Sequence, residues 1–273
     1  MFAAIFALME IAGYIASLFI GISLGLIGGG GSILTVPVLV YLFSINPVLS
    51  TSYSLFVVGS TSLIGAINNY RKGQVNVKIA LLFGISSITT VFLTRKFIIP
   101  HIPENLFTVG HYTITHSLLT MILFAGLMIM AARAMIKNGN NNTNGTAKDF
   151  RKTNLVKLLS YGIAVGLATG ILGAGGGFLL IPTLVIFVGL PMKEAVGTSL
   201  LIIALNSLIG FTGDLGHFII DWIFLFKVTS IAIAGIFIGG LTSKKINGDK
   251  LKKAFGWFVL MMGIYIIVKE IIL

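Results

Sequence analysis

The chain has 273 residues, of which 56% are hydrophobic and only 10% charged, and its mean hydropathy is +1.02. A soluble globule is about 45–50% apolar and about 25% charged, so the missing charge excludes an ordinary soluble enzyme, a disordered chain and an extended nucleic-acid binder. The net charge of +11 lies in short basic runs between apolar segments, with no Lys or Arg in the first 70 residues, and it reads as a set of cytoplasmic anchors under the positive-inside rule.

Cysteine is absent, which excludes disulfides, thiolate-bound zinc and iron–sulfur clusters. The N-terminal stretch lacks the basic n-region of a signal peptide. Its apolar run passes Ile20, so it is expected to be a retained membrane segment. The apolar segments in chain order are 2–27, 32–45, 51–69, 77–99, 112–136, 155–173, 177–190, 195–213, 219–242 and 251–272. A spanning helix takes about 20 apolar residues, and 32–45 and 177–190 fall short. Each directly follows a glycine cluster, Gly28 to Gly31 in one case and Gly173-Ala174-Gly175-Gly176-Gly177 in the other. Each pair is expected to form a hairpin that enters the membrane, turns at the glycines and returns as a half-length helix. Residues 137–154 form a long Asn- and Gly-rich stretch with little apolar surface to bury. They read as a cytoplasmic linker between a first transmembrane repeat, 1–136, and a second, 155–273.

The two halves repeat. A shift of 145 residues places Gly21, Gly25, Gly28, Gly30, Gly31, Leu34 and Pro37 on Gly166, Gly170, Gly173, Gly175, Gly176, Leu179 and Pro182. At the same shift Ser54-Leu55 meets Ser199-Leu200, and Ser62 to Gly65 meets Ser207 to Gly210. Shared hydrophobicity alone does not hold a match at one offset over such a length. The basic clusters at Arg71 to Lys78, at the linker and at Lys244 to Lys253 mark the cytoplasmic side. The loop from Asp214 to Asp221 carries no Lys or Arg and is placed outside, as are both termini. Five segments per half is an odd number, so the halves should have opposite orientation, the usual plan of secondary transporters. The expected fold is an all-α polytopic membrane protein of two inverted repeats in the plasma (inner) membrane. Arg95-Lys96, near the outer end of its segment, is an exception to the charge rule.

Half-helices starting at the glycine turns would aim free N–H groups and a partial positive charge into the membrane centre. Two of them converging make an anion site that needs no Lys or Arg. The candidate substrate contacts are Gly29, Gly30, Gly31 and Ser32 in the first turn, and Gly175, Gly176 and Gly177 in the second. The competing reading is that such glycines only allow close helix packing, as expected for Gly21-x-x-x-Gly25 and Gly166-x-x-x-Gly170. A polar stripe of Ser54, Thr61, Gly65 and Asn68, with Ser199 and Asn206 as counterparts, lines one helical face. It is expected either to line a pathway or to join helices. Glu10 is a candidate carrier of a coupling proton. Asp214, His217 and Asp221 are expected to be solvated at an outer mouth, with a gating or proton role open to the first two. No HExxH, GxSxG or Walker A lysine is present, so enzyme chemistry and ATP hydrolysis lack support. No cofactor or metal is expected.

The paired elements Gly28-Gly-Gly-Gly-Ser-Ile-Leu-Thr-Val-Pro37 and Gly173-Ala-Gly-Gly-Gly-Phe-Leu-Leu-Ile-Pro182, each followed by a Ser-Leu run, resemble the sulfite exporter TauE/SafE family of membrane permeases. The resemblance covers nearly the whole chain apart from the linker. It implies a permease for a small sulfur-containing anion such as sulfite, thiosulfate or a sulfonate. Its partners would be that anion, the lipid bilayer and a coupling ion, protons being the first choice. Ser32 stands where the second half has Gly177, which would make the two ends of the site unequal. A passive anion channel and a non-transporting membrane scaffold are the alternatives. Substrate identity, direction and oligomeric state are open at this level.

Overall fold

A computed structural model describes residues 2–109, 112–137, 155–173, 176–242 and 248–272. The sequence forms helices wherever its apolar runs exceed a few turns, because a helix satisfies its own backbone hydrogen bonds without water. In chain order these are α1 (Phe2–Ile27), a 3-10 turn (Gly29–Leu34) leading into α2 (Thr35–Tyr41), α3 (Pro47–Arg71), α4 (Val77–Leu93) and α5 (His116–Lys137). The second half gives α6 (Leu155–Leu172), α7 (Gly177–Pro182), α8 (Met192–Asp214), α9 (Trp222–Thr242) and α10 (Gly248–Ile272). Local signals set several boundaries. Asn46 caps α3 by accepting from the Val48 amide, with Pro47 at the first helical position. Asn76 caps α4 through the Ile79 amide. Gly28, at φ 85°, ends α1 in a conformation that a side chain would strain.

Two features depart from the all-helical expectation. The α4 helix widens into a π turn (Thr94–Ile98), and α7 does the same (Thr183–Phe187). Between α4 and α5 a short antiparallel hairpin pairs β1 (Asn105–Val109) with β2 (Tyr112–Thr115). The segment expected to be helical from residue 112 therefore begins its helix at His116.

Five described helices are long and apolar enough to cross a membrane: Leu8–Ile27, Pro47–Arg71, Val77–His101, Lys193–Asp214 and Trp222–Thr242. Their outward faces, and that of α10, carry large apolar side chains such as Phe19, Ile85, Phe237, Leu241 and Met261 in exposed positions. Water would not tolerate so continuous an apolar exterior, whereas lipid does. The α3 and α8 helices form the buried centre, and α4, α9 and the glycine turns pack around them.

The packing repeats with the sequence. Gly21 of α1 lies against the Ala232 carbonyl of α9, and Gly166 of α6 lies against the Ser87 carbonyl of α4. Those residues correspond pairwise under the shift of 145. The same holds for Gly28 on Val196 against Gly173 on Thr51, and for Gly65 on Leu200 against Gly210 on Leu55. The α3 and α8 helices run antiparallel. The loop after α3 meets the start of α8, where the Asn76 amide donates to Thr198 Oγ1 at 2.9 Å. At the opposite end, Arg95 bridges Thr51 of α3 to Asp214 of α8.

Candidate functional site

The two glycine turns meet. Gly29 and Gly177 stand backbone to backbone, so close that a Cβ on either would collide with main-chain atoms of the other. Both turns also rest on one face of α8: Gly28 on Val196, and Gly177 on Ile203. Residues 196, 199 and 203 share that face, so Ser199 lies between the two turn contacts; farther along α8, Asn206 and Gly210 pack towards α4 instead. Within the first turn, Ser32 Oγ donates to the Gly29 carbonyl at 2.8 Å. Gly31 lies on the Ile20 carbonyl of α1. Gly30 belongs to the same 3-10 turn. In the second turn, Gly173 and Gly176 both have φ of +66°, and Gly176 abuts Thr169 Oγ1. Gly175 lies outside the described residues. The packing role of glycine is thus realised at Gly21, Gly25, Gly166 and Gly170, and at the Gly29–Gly177 contact itself.

The stripe residues are buried with different partners. Thr61 Oγ1 donates to the Val57 carbonyl at 2.6 Å, and Ser199 Oγ to the Val196 carbonyl at 2.9 Å. Both hydroxyls are therefore spent on their own helices. Asn206 Nδ2 reaches across to Ser87 Oγ of α4 at 2.6 Å, while its Oδ1 has no hydrogen-bond partner. The hydroxyls of Thr35, Ser54, Ser62, Thr169 and Ser207 are likewise buried without partners. Buried polar groups are nearly always paired, so these unpaired groups stand out within an otherwise apolar core.

The titratable candidates divide. Glu10 is exposed on the outer face of α1, where Tyr14 donates to it at 3.1 Å. His217 and Asp221 are exposed. Asp214 is a correction: instead of being solvated it is fully buried, and its Oδ2 accepts from Arg95 Nη1 at 3.1 Å. Arg95 is 0% exposed. The charge-rule exception thus has a cause, since Arg95 is neutralised inside the protein by a carboxylate from the other half. The glycine-turn anion site argued from the sequence needs no arginine, yet a buried one, Arg95, lies elsewhere in the bundle. Sequence reasoning missed this pair because its members lie 119 residues apart and no periodicity links them. Asn46, Glu104, His116 and His217 help line a cavity of about 360 Å³.

A helical bundle with an apolar exterior, buried polar groups and two broken helices at its centre has the form of a multi-pass membrane transporter. The comparisons agree. Residues 14–266 match the family model described as sulfite exporter TauE/SafE, and the chain belongs to that family. It is 28% identical over 251 residues to a "Probable membrane transporter protein" of Xylella fastidiosa (strain 9a5c), covering 91% of each chain. It is 27% identical over 235 residues to the "Probable membrane transporter protein YdhB" of Bacillus subtilis, covering 86% of this chain and 91% of that one. A 114-residue stretch is 34% identical to the "Probable membrane transporter protein MJ0441" of Methanocaldococcus jannaschii, covering 40% of this chain and 43% of the relative. No solved structure matches the chain significantly.

Proposed function

We propose that the protein is a secondary transporter of a small sulfur-containing oxyanion such as sulfite, thiosulfate or a sulfonate. In this reading two inverted repeats, 1–136 and 155–273, alternate access to a central site, and residues 137–154 link them on the cytoplasmic side. The observation that carries it is the central contact. Helices of the two halves pack together along their lengths, and at their glycine turns they meet through Gly29 and Gly177, which have no side chains to interlock; the bundle also holds buried hydroxyls that lack partners. A turn contact without side chains can shift without repacking, and it offers amide donors when it opens. Gly30, Gly31, Ser32, Gly175 and Gly176 would supply the amides. Ser54, Thr61, Ser199 and Asn206 would line the approach.

The antiparallel run of α3 and α8, which are equivalent under the repeat, supports the inversion. The family description supports a sulfur oxyanion. Arg71, Lys72, Lys78 and Lys193 gather where the loop after α3 meets the start of α8, which supports a cytoplasmic placement of that end. Both termini then lie outside. The driving force would be an ion gradient, with protons as the coupling ion and no cofactor.

The test is ligand-dependent stability of the purified protein in detergent, since a ligand that binds only the folded state raises stability by mass action. Sulfite, thiosulfate, sulfate, short sulfonates and carboxylates form the panel. A selective rise with one sulfur oxyanion is expected. A rise only with carboxylates would overturn the substrate class.

A further inference from the structure

Arg95 donates through Nη1 alone, to Asp214 Oδ2 at 3.1 Å and to Thr51 Oγ1 at 3.0 Å. Its Nε and Nη2 are buried and have no hydrogen-bond partner. These two nitrogens lie on the same side of the guanidinium. Together they form the planar fork that grips two oxygens of one oxyanion. Asp214 leaves that fork free because it engages the arginine with one oxygen, and its own Oδ1 is also buried without a partner. Leaving charged donors unmatched in a dry interior is expensive, so a ligand that fills the fork has a large gain available.

The surroundings suit a small anion. Thr51, which accepts from Arg95, packs its backbone against Gly173 at the base of the second glycine turn. Gly213 lets α8 pass the arginine stem, because a Cβ there would lie 3.0 Å from Arg95 Cβ. The Ser52 hydroxyl lies beside the Asp214 carboxylate, close enough to hydrogen-bond it. His116, near enough to interact electrostatically with Arg95, lines the 360 Å³ cavity.

We propose that the Nε–Nη2 fork of Arg95 is an oxyanion-binding site of this protein, with Asp214 as an internal carboxylate that competes for the same guanidinium. The proposal rests on the anion-transport reading above and adds a residue to it. The fork recognises the shared geometry of sulfite, thiosulfate, sulfonate and carboxylate, and the remaining contacts choose between them. An incoming anion takes the free fork and weakens the hold of Asp214 on Nη1. The pair that ties α4 of the first half to α8 of the second is thereby loosened when substrate is present.

The experiment uses the full chain, purified and also reconstituted, with sulfite, thiosulfate and acetate as probes. Arg95→Lys keeps a cation for Asp214 but removes the fork, and it is expected to weaken binding of the preferred anion by about 10- to 100-fold, the range for hydrogen bonds to a charged group. Asp214→Asn removes the competitor and is expected to tighten binding by about tenfold while slowing transport. A purely structural ion pair would change thermal stability in both variants but not the affinity ratio. If Arg95→Lys does not fold, Asp214→Asn decides, and unchanged affinity there overturns the proposal. Native protein that transports a sulfur oxyanion, with both variants binding it at the native affinity, overturns the arginine site and spares the transport reading. Native protein that neither binds nor transports any of these anions overturns both.

Discussion

Arg95 and Asp214 lie 3.1 Å apart, wholly inside the bundle, and come from the two halves of a repeated sequence. Removing one member of such a pair leaves an unmatched charge in a low-dielectric interior, at a cost of about 3–5 kcal/mol. Asp214→Ala should therefore lower stability by that order, seen as a large drop in unfolding temperature in detergent. Arg95→Met combined with Asp214→Leu should recover most of the loss, because a buried pair exchanged for apolar groups is often neutral. Equal losses in the single and double variants would show that the ion pair is not what the singles disturb.

The Gly29–Gly177 contact predicts a steric failure. Gly177→Leu places a side chain where main-chain atoms of the first turn already stand. Overpacking of this kind costs about 1–3 kcal/mol or more. Transport should be lost even in the fraction that remains folded. Gly126, where an added Cβ would meet nothing within 4 Å, is the control. Gly126→Ala should be neutral or gain up to about 1 kcal/mol of helix propensity. Uptake by Gly177→Leu at the native rate would remove the turns from the mechanism.

The repeat predicts matched sensitivity. Gly21 and Gly166 bring α1 onto α9 and α6 onto α4 through equivalent carbonyls. Gly21→Val and Gly166→Val should lower the unfolding temperature by comparable amounts. A large loss in one and none in the other would mean that the internal symmetry of sequence is not a symmetry of packing energy.

The absence of cysteine makes topology directly measurable. Lys72 and His217 are exposed in loops at opposite ends of the α3–α8 pair. In intact cells a membrane-impermeant thiol reagent should label His217→Cys, and it should label Lys72→Cys only after permeabilisation. The reverse pattern would invert the orientation.

Much of this architecture is legible in the sequence because it is written twice. Gly21 matching Gly166, and Gly28 matching Gly173, are legible because close backbone approach admits only glycine, and the structure puts these residues in equivalent contacts. The ion pair is not legible. Arg95 reads as a misplaced anchor and Asp214 as a loop acid, and only tertiary packing brings them together. The β-hairpin at 105–115 is masked by the apolar run that continues into α5. The polar stripe is half legible: Ser199 lies beside the turn contacts but bonds its own helix, and Asn206 reaches α4. A hydroxyl that bonds its own turn looks the same in sequence as one that faces a pathway.

The most direct test of the central claim is accumulation of radiolabelled sulfite and thiosulfate by proteoliposomes containing the protein, with and without an imposed proton gradient. Secondary transport predicts that one of these anions rises above its equilibrium level only when the gradient is present, and that Gly177→Leu abolishes the rise. Flux that stops at equilibrium whatever the gradient would contradict the account and make the protein a passive pore, and no flux of either anion would contradict its substrate class.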